Sequence, residues 1–312
     1  MTITQLKYVL AVAQYQNFTK AADKVFVTQP TLSMQIQKLE DELDVQIFDR
    51  SKKPIELTET GRKIVNQARN IVNESDRIQD IVDQEKGFIG GEFKIGVIPT
   101  VMPTLLPMFL DNFVNKYPKV KLRIEELTTE NIMESLQDGS IDAAIAATPL
   151  KNDMIKERVL YYEPFVAYDP RLSGKPKSKI KVEDINVDDL LLLEDGHCFK
   201  DSILNLCRSS RDTGRERFML ESGSFETLIK LADEGLGMTL LPYLNTMDLP
   251  EHKKDNLRYF EDPSPAREVS LIYHKSELKM QIIEALRNVI AGVVKGAIAF
   301  QNVQIISPLA GK

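Results

Sequence analysis

The chain has 312 residues, which is enough for two or three domains with a buried core in each. Hydrophobic residues make up 43% and charged residues 28%, and Gly and Pro number 15 each, which excludes collagen-like, low-complexity and disordered classes. No apolar run reaches membrane-spanning length and no secretory signal opens the chain, so we expect no membrane contact and a cytoplasmic location. The net charge of −6 disfavours polyanion binding over the whole surface but allows a local contact site.

The first sixty residues predict three short helices and almost no strand. Apolar residues recur at helical spacing from Ile3 to Gln16, and a second helix is expected to begin after Thr19 as its N-cap. A third begins at Thr28, with Pro30 in its first turn, where a missing N–H costs least. A strand-like stretch, Ile55 to Leu57, follows a basic loop.

The second and third helices have the pattern of a helix-turn-helix, whose second helix enters the major groove of double-stranded DNA. Gln can pair with adenine edges, and Ser or Thr can reach bases or phosphates. The candidate DNA contacts are Gln29, Pro30, Thr31, Ser33 and Gln35 in the third helix and Arg50, Lys52 and Lys53 in a wing-like loop. A solvated face of a helical subdomain is the alternative. The charge of this segment does not decide between DNA binding and a solvated face, because positions 1–63 contain nine basic and eight acidic residues.

After Gly61 the sequence predicts one long helix whose apolar positions alternate three and four residues apart. This is a heptad seam, which is typical of helices that pair between subunits. The predicted dimerisation residues are Ile64, Ala68, Ile71, Ser75 and Ile78. Gly87, Gly90 and Gly91 end the pattern and mark a domain boundary.

From Phe93 onward, short apolar strands alternate with helices, which predicts an α/β domain with a mostly parallel sheet covered on both faces. The predicted strands are 93–98, 120–127, 141–146, 164–168, 190–193, 218–221, 238–241 and 268–273, and the predicted helices between them are 103–116, 131–138, 225–234 and 278–294. We therefore divide the chain into a DNA-binding segment (1–60), a linker helix (61–90) and a regulatory domain (91–312).

The chain contains two cysteines, Cys198 and Cys207, which are too few for a disulfide framework. Their spacing is not that of a zinc site, and with only three histidines we expect no metal. Cys198 lies near the start of a predicted helix, and His197 and Lys200 flank it, which favours the thiolate over the thiol. Two buried, unreactive cysteines are the alternative.

The N-terminal motif closely resembles the winged helix-turn-helix of LysR-type transcriptional regulators. The residues that carry the resemblance are Phe18-Thr19-Lys20-Ala21-Ala22, Val27-Thr28-Gln29-Pro30-Thr31-Leu32-Ser33, Gln35-Ile36, Leu39-Glu40 and Phe48-Asp49-Arg50. The resemblance covers the whole chain and implies that the long helix pairs two subunits, in a homodimer or a tetramer built as a dimer of dimers. It also implies two Rossmann-like subdomains, similar to those of periplasmic binding proteins. The chain is expected to cross twice from one subdomain to the other. We expect subdomain I to span 91–162 and 268–300, and subdomain II 163–267.

The cysteine region resembles the peroxide-sensing branch of this family. The matching residues are Leu193-Glu194-Asp195-Gly196-His197-Cys198, Asp201 and Cys207, with Ile98-Pro99-Thr100-Val101 and the run from Glu234 to Pro242. The resemblance implies that Cys198 is the peroxidatic cysteine and Cys207 the resolving one. It implies that Thr100 and Thr129, or the adjoining Thr128, bind hydrogen peroxide, and that the assisting residues are His197, Lys200 and Asp201.

The sequence departs from this branch at three positions. Lys200 stands where Arg is usual, which keeps the charge but loses a bidentate contact. Met34 and Gln37 replace the usual Gly and Arg of the recognition helix, which leaves the operator sequence open.

The resemblance implies a regulator of oxidative-stress genes that is not an enzyme and has no cofactor. Its expected partners are operator DNA, hydrogen peroxide, cellular thiol reductants and RNA polymerase. If residues 198–207 are helical, the two cysteine Cα atoms lie roughly 13 Å apart, whereas a disulfide needs about 4.4 to 6.8 Å. A bond between them would therefore require refolding, which would make oxidation a conformational switch.

Two alternatives remain open at this point. The first is a regulator of the same family that binds a small organic effector in the cleft between the subdomains, with incidental cysteines. Sensing of that kind would survive replacement of both cysteines. The second is a thiol peroxidase on a binding-protein fold, which the N-terminal motif disfavours.

Overall fold

The computed structural model describes residues 1–85, 89–172, 179–186, 189–193, 203, 224–298 and 303–306. The chain divides into two compact units, Met1–Phe88 with Gln137–Ser140, and Ile89–Leu136 with Ile141–Lys312. Within the described ranges, no helix is both long enough and apolar enough to cross a bilayer.

The first unit consists of α1 (Ile3–Tyr15), α2 (Phe18–Lys24), α3 (Gln29–Leu43), β1 (Phe48–Asp49), β2 (Glu56–Leu57) and α4 (Glu59–Glu85). Local capping sets the helix starts. The third helix was predicted to open at Thr28, and in the structure Thr28 is its N-cap, since the Thr28 hydroxyl accepts from the Thr31 backbone N–H. The prediction of Thr19 as the cap of α2 is wrong, because the Asn17 side chain accepts from the Lys20 N–H and the helix begins at Phe18.

The core of this unit joins α1, α3 and the first half of α4. The inner face of α3 contributes Leu32, Ile36 and Leu39, each without exposed surface. Val65 and Ala68 of α4 pack into the same core. β1 and β2 pair antiparallel and form the wing that follows the recognition helix.

The second unit alternates strands and helices. Its elements are β3 (Gly91–Val97), α5 (Met102–Lys116), β4 (Val120–Glu126), α6 (Thr129–Gln137), β5 (Ala143–Thr148), β6 (Ile155–Tyr168), β7 (Leu190–Leu191), α7 (Phe225–Asp233), β8 (Met238–Pro242), α8 (Tyr243–Met247), α9 (Glu251–Lys254), β9 (Leu257–Tyr259), β10 (Ser264–His274), α10 (Met280–Val294) and β11 (Val303–Ile305). The predicted strand 218–221 lies outside the described residues.

The sheet of this unit has the order β4-β3-β5-β10-β6-β8-β7, with β11 beside β10 and β9 beside β6. The prediction of a mostly parallel sheet is wrong. β3 is parallel to β4 and β5, and β7 is parallel to β8, but β10 runs antiparallel to β5 and β6, and β6 runs antiparallel to β8. The long strands β10 and β6 lie between the parallel sets β4-β3-β5 and β8-β7. Their antiparallel pairing makes the strands of the second set run opposite to those of the first.

The two long strands also connect two hydrophobic cores. One core contains Phe93, Tyr161 and Val269, and the other contains Phe165 and Leu240. β6 runs from the first core into the second, and β10 carries the chain back. The double crossing implied by the family resemblance is therefore present in the fold.

Candidate DNA interface and redox site

The recognition helix α3 presents a polar surface at its N-terminal end. Gln29, Pro30 and Thr31 are exposed, and Ser33 is half-buried. Gln35 is also half-buried, and its side-chain oxygen accepts from the Gln5 amide at 3.3 Å. Within α3, the first turn is thus the most accessible part of the predicted interface, whereas Gln35 is partly engaged within the unit.

A buried glutamate fixes the wing. Glu40 in α3 is 4% exposed, and its Oε1 accepts from the backbone N–H groups of Ile47 and Phe48 at 2.7 and 3.2 Å. Its Oε2 accepts from Arg50 Nη2 at 2.7 Å. The Arg50 guanidinium also lies 5.2 Å from the centre of the Phe18 ring, a cation–π distance. Arg50 therefore anchors the wing in this structure, and its predicted contact with phosphate remains a prediction.

The remaining basic residues of the wing point to solvent. Lys52 and Lys53 are exposed in the loop between β1 and β2. Nearby, hydrogen bonds from the Ser51 hydroxyl and N–H lower the pKa of Asp49 below its ordinary value. The wing thus carries two accessible cations beside a carboxylate that stays ionised.

The predicted seam of the linker helix has two different environments. Ala68 is 1% exposed and belongs to the core of its own unit, so it is not accessible for a subunit contact. Ile64, Ile71 and Ser75 are half-buried, and Ile78 is 65% exposed. The subunit contact predicted for these four residues remains a prediction.

The redox segment itself is mostly outside the described residues. This applies to His197, Cys198, Lys200, Asp201 and Cys207. The described residues on either side of Cys198, Leu193 and Ile203, are 2% and 1% exposed and belong to the hydrophobic core that contains Phe165 and Leu240. In the described part of the chain, no cluster of three or more His, Cys, Asp or Glu could hold a metal ion.

The two predicted peroxide-binding threonines follow neighbouring parallel strands. Thr100 comes after β3 and Thr129 opens α6 after β4, and Val97 at the end of β3 pairs with Glu126 at the end of β4. Both threonines therefore lie at the carboxyl edge of the sheet, where open α/β folds bind ligands. The Thr128 hydroxyl accepts from the Asn131 N–H, so it already serves the start of α6.

A buried ion pair holds Thr100. Arg267 of β10 and Glu163 of β6 are cross-strand partners, 1% and 0% exposed. Glu163 Oε2 accepts from Arg267 Nε at 2.9 Å and from Nη2 at 2.7 Å, and its Oε1 accepts from the Leu244 N–H at 2.9 Å. Arg267 Nη1 and Nη2 donate to the Thr100 hydroxyl and carbonyl oxygens at 2.9 and 3.1 Å.

Tyr161 lies close to this pair and is fully neutral at ordinary pH. Burial raises the pKa of its hydroxyl well above the ordinary value, and the negative charge of Glu163 raises it further. Its oxygen finds no hydrogen-bond partner among the described residues. The Tyr161 hydroxyl is therefore a buried, protonated group beside the ion pair.

Thr100 was predicted from the sequence as a site residue, whereas Arg267 and Glu163 were not. The sequence offers little local signal for either residue, since Glu268 follows Arg267 directly and Glu163 interrupts the apolar pattern of β6. The burial of both charges follows from their pairing across the two strands, because charged residues are rarely buried unless they are paired. Chemically, the arrangement fixes one hydroxyl oxygen at the sheet edge. The hydrogen of that hydroxyl can then donate to a small polar ligand.

Comparisons with known proteins match both the N-terminal and the C-terminal segment of the chain to one protein family. Residues 3–62 match the family model described as a bacterial regulatory helix-turn-helix protein of the lysR family, and residues 86–295 match the LysR substrate binding domain. The chain is 33% identical over 295 residues to the DNA-binding transcriptional dual regulator OxyR of Escherichia coli, covering 92% of this chain and 95% of the relative.

Solved structures give the same result. A full-length OxyR variant from Pseudomonas aeruginosa has a TM-score of 0.76 at 34% identity, covering 93% of this chain and 94% of the other. A hydrogen-peroxide-bound OxyR mutant from Corynebacterium glutamicum has a TM-score of 0.62 at 27% identity, covering 95% and 93%. The chain therefore belongs to the LysR family of bacterial helix-turn-helix regulators, and within that family to the OxyR group.

Proposed function

We propose that the chain is a transcriptional regulator that binds a double-stranded DNA operator and responds to hydrogen peroxide through Cys198 and Cys207. The observation that carries the peroxide site is the buried Arg267 and Glu163 pair, which fixes Thr100 at the sheet edge. The OxyR relatives support the same assignment, since one of them is described as peroxide-bound.

The proposed oxidation proceeds in two balanced steps. The Cys198 thiolate attacks one peroxide oxygen, the O–O bond breaks, and the products are a sulfenic acid and water once the departing hydroxide takes up a proton. The Cys207 thiol then attacks the Cys198 sulfur, a disulfide forms, and a second water leaves. Peroxide gains the two electrons that the two sulfurs lose, and a cellular thiol returns them when it reduces the disulfide.

Thr100 and Arg267 have distinct roles in this scheme. Because Arg267 donates to the Thr100 oxygen, the Thr100 hydroxyl hydrogen can donate to a peroxide oxygen. Arg267 and Glu163 together carry no net charge, so Arg267 acts mainly by positioning. Thr129, His197, Lys200 and Asp201 are proposed to complete the site, with Lys200 and His197 favouring the Cys198 thiolate.

The remaining partners follow from the family and the exposed residues. We infer operator contacts by Gln29, Pro30, Thr31 and Ser33 at the start of α3, with Gln35 beside them and Lys52, Lys53 and Arg50 in the wing. We infer a homodimer through the exposed end of α4, assembled further into a tetramer. Such a regulator acts in the cytoplasm, where its operator DNA and thiol reductants are, and it contacts RNA polymerase there.

The proposal is tested with full-length wild type, Cys198→Ser, Cys207→Ser and the double variant. Each is bound to a duplex selected from a randomised library, and the protected bases are mapped before and after brief low-dose peroxide. Wild type should change its protection pattern, and Cys198→Ser should not, because no sulfenic acid can form.

Cys207→Ser should be oxidised at Cys198 but stop at the sulfenic acid or at a mixed disulfide with an added thiol. An unchanged peroxide response in the double variant would reject the cysteine switch. A response to a small organic molecule in that variant would instead favour effector binding in the cleft.

A further inference from the structure

Phe26 is the most exposed large hydrophobic side chain among the described residues. It is 95% exposed and lies in the turn between α2 and α3, two residues before Thr28, the cap of the recognition helix. Most aromatic side chains bury the greater part of their surface, so a ring this exposed contributes little to the core of its own unit.

The backbone at Phe26 is also unfavourable for this residue type. Its φ is +57°, in the left-handed region. The Val27 N–H donates to the Ala22 carbonyl and the Phe26 N–H to the Asp23 carbonyl, which together form a Schellman ending of α2 with Phe26 at the position after the C-cap. Glycine is the usual residue there, and asparagine is the next best, because a Cβ is strained in this conformation.

Phe26 thus has two costs in the unbound protein, a strained backbone and an exposed ring, and the described structure offers no compensating contact. Gly or Asn would remove both costs. A benefit in a complex would account for the residue, and the position of Phe26 indicates which complex. In helix-turn-helix proteins the first helix crosses the DNA backbone and the start of the second reaches the base edges, so the turn between them faces the wall of the major groove.

We propose that Phe26 is a DNA-contacting residue whose ring packs against the apolar carbon surface of the operator beside the first turn of α3. This inference rests on the DNA binding proposed above. The deoxyribose carbons and the thymine methyl groups offer the apolar surface that a phenyl ring can cover. The contact buries apolar area and neutralises no phosphate, so it differs in kind from the contacts expected of the wing lysines.

The test measures the affinity of full-length wild type and Phe26→Asn, Phe26→Gly and Phe26→Tyr for one selected duplex over a range of salt concentrations. Phe26→Asn and Phe26→Gly should each bind about tenfold more weakly, because a buried ring is lost. Phe26→Tyr keeps the ring and should bind about as tightly as wild type. The slope of log affinity against log salt should be the same for all four proteins, since no counterions are involved.

Lys53→Ala is the matched control. Its salt slope should decrease by about one, as expected for a phosphate contact, which no Phe26 variant should show. Thermal unfolding provides the second readout. Phe26→Gly should unfold at a higher temperature than wild type, because the left-handed conformation is unstrained in glycine.

Wild-type affinity in both Phe26→Asn and Phe26→Gly would overturn the inference. So would lower unfolding temperatures in both variants, which would show that Phe26 stabilises the fold. A changed mass in sedimentation at unchanged DNA affinity would assign the ring to a contact between subunits. If wild type selects no duplex at all, the proposed function fails as well, and the two failures are thereby distinguished.

Discussion

In each unit of this regulator a glutamate–arginine pair organises a predicted contact site, and these two pairs differ in burial. Glu40 and Arg50 of the DNA-binding unit are 4% and 38% exposed at the side chain, whereas Glu163 and Arg267 of the regulatory unit are 0% and 2% exposed. In the first pair the carboxylate organises the structure, since it accepts from two backbone N–H groups of the wing. In the second, the guanidinium does so, since it holds the Thr100 hydroxyl and carbonyl.

Two ion pairs of the same residue types can therefore serve different purposes. A half-exposed arginine remains accessible to solvent and to a phosphate, and its salt bridge contributes little to stability. A fully buried arginine depends on its partner, because an uncompensated charge in the interior is costly. The half-exposed arginine suits a contact surface for DNA. The buried arginine suits a site that must hold a side chain in one fixed position.

The largest effect is expected from Arg267→Met. It leaves Glu163 buried without its counter-charge and should lower the free energy of unfolding by about 3 to 5 kcal/mol. Urea unfolding of the full-length chain, followed by circular dichroism, measures this. The double variant Glu163→Gln with Arg267→Met should recover most of the loss, because it removes both charges. A double variant no more stable than Arg267→Met would contradict the assignment of the cost to the unpaired charge.

A smaller effect is expected at the wing. Glu40→Ala leaves the buried N–H groups of Ile47 and Phe48 without an acceptor and should cost about 1 to 3 kcal/mol. Arg50→Met should cost about 1 kcal/mol or less, because its partner keeps two backbone donors and the pair is half-exposed. Equal losses for Arg50→Met and Arg267→Met under the same denaturant would remove the distinction between the two pairs.

Thr100→Val tests whether the Thr100 hydroxyl, which Arg267 holds in place, contributes to the reaction with peroxide. The substitution keeps the shape of the side chain but removes the hydroxyl, so oxidation of Cys198 by peroxide should slow by roughly tenfold to a hundredfold. Stopped-flow kinetics on the full-length chain measures the rate. Thr104→Val is the control, since among the described residues the Thr104 hydroxyl donates only to the Val101 carbonyl, and this variant should react at the wild-type rate. A wild-type rate in Thr100→Val would remove Thr100 from the site.

The smallest effect is expected at Tyr161, beside the buried pair. Tyr161→Phe removes a buried hydroxyl that has no partner in the described part of the chain, so stability should stay unchanged or increase by about 1 kcal/mol. Tyr168→Phe is the contrasting variant, because its hydroxyl donates to Asp233 at 2.5 Å and accepts from Asn256 at 3.2 Å. It should lose about 1 kcal/mol. Thermal unfolding that ranks the two variants in the opposite order would contradict the assignment.

Much of the DNA-binding unit could be predicted because its signals are local. The Thr28 cap, Pro30 in the first turn and the apolar face of α3 are all encoded within a few residues of one another. The error at Thr19 is of the same kind, since Asn17 is an equally good cap two residues earlier. Ala68 shows the limit of a heptad pattern, which does not state whether an apolar position packs within its own chain or against a second copy.

The regulatory unit was predicted less completely because its central strands depend on distant partners. Only the last five residues of β6 were predicted, since Glu157, Arg158 and Glu163 interrupt its apolar pattern. β10 was predicted to start at Glu268, one residue after Arg267. Glu163 and Arg267 are tolerated in these strands because they pair with each other, although they are more than a hundred positions apart in the sequence. A local sequence pattern contains no information about such a distant partner.

The most direct test of the proposed function is peptide mass spectrometry of full-length protein after brief low-dose peroxide, with amide exchange measured on the same sample. The prediction is a Cys198 to Cys207 bond within one chain, together with changed exchange across residues 198–207, because the helix predicted from the sequence would hold the two cysteines too far apart to bond. Cysteines that remain reduced while the protein still responds to peroxide, or a bond with unaltered exchange, would contradict the account.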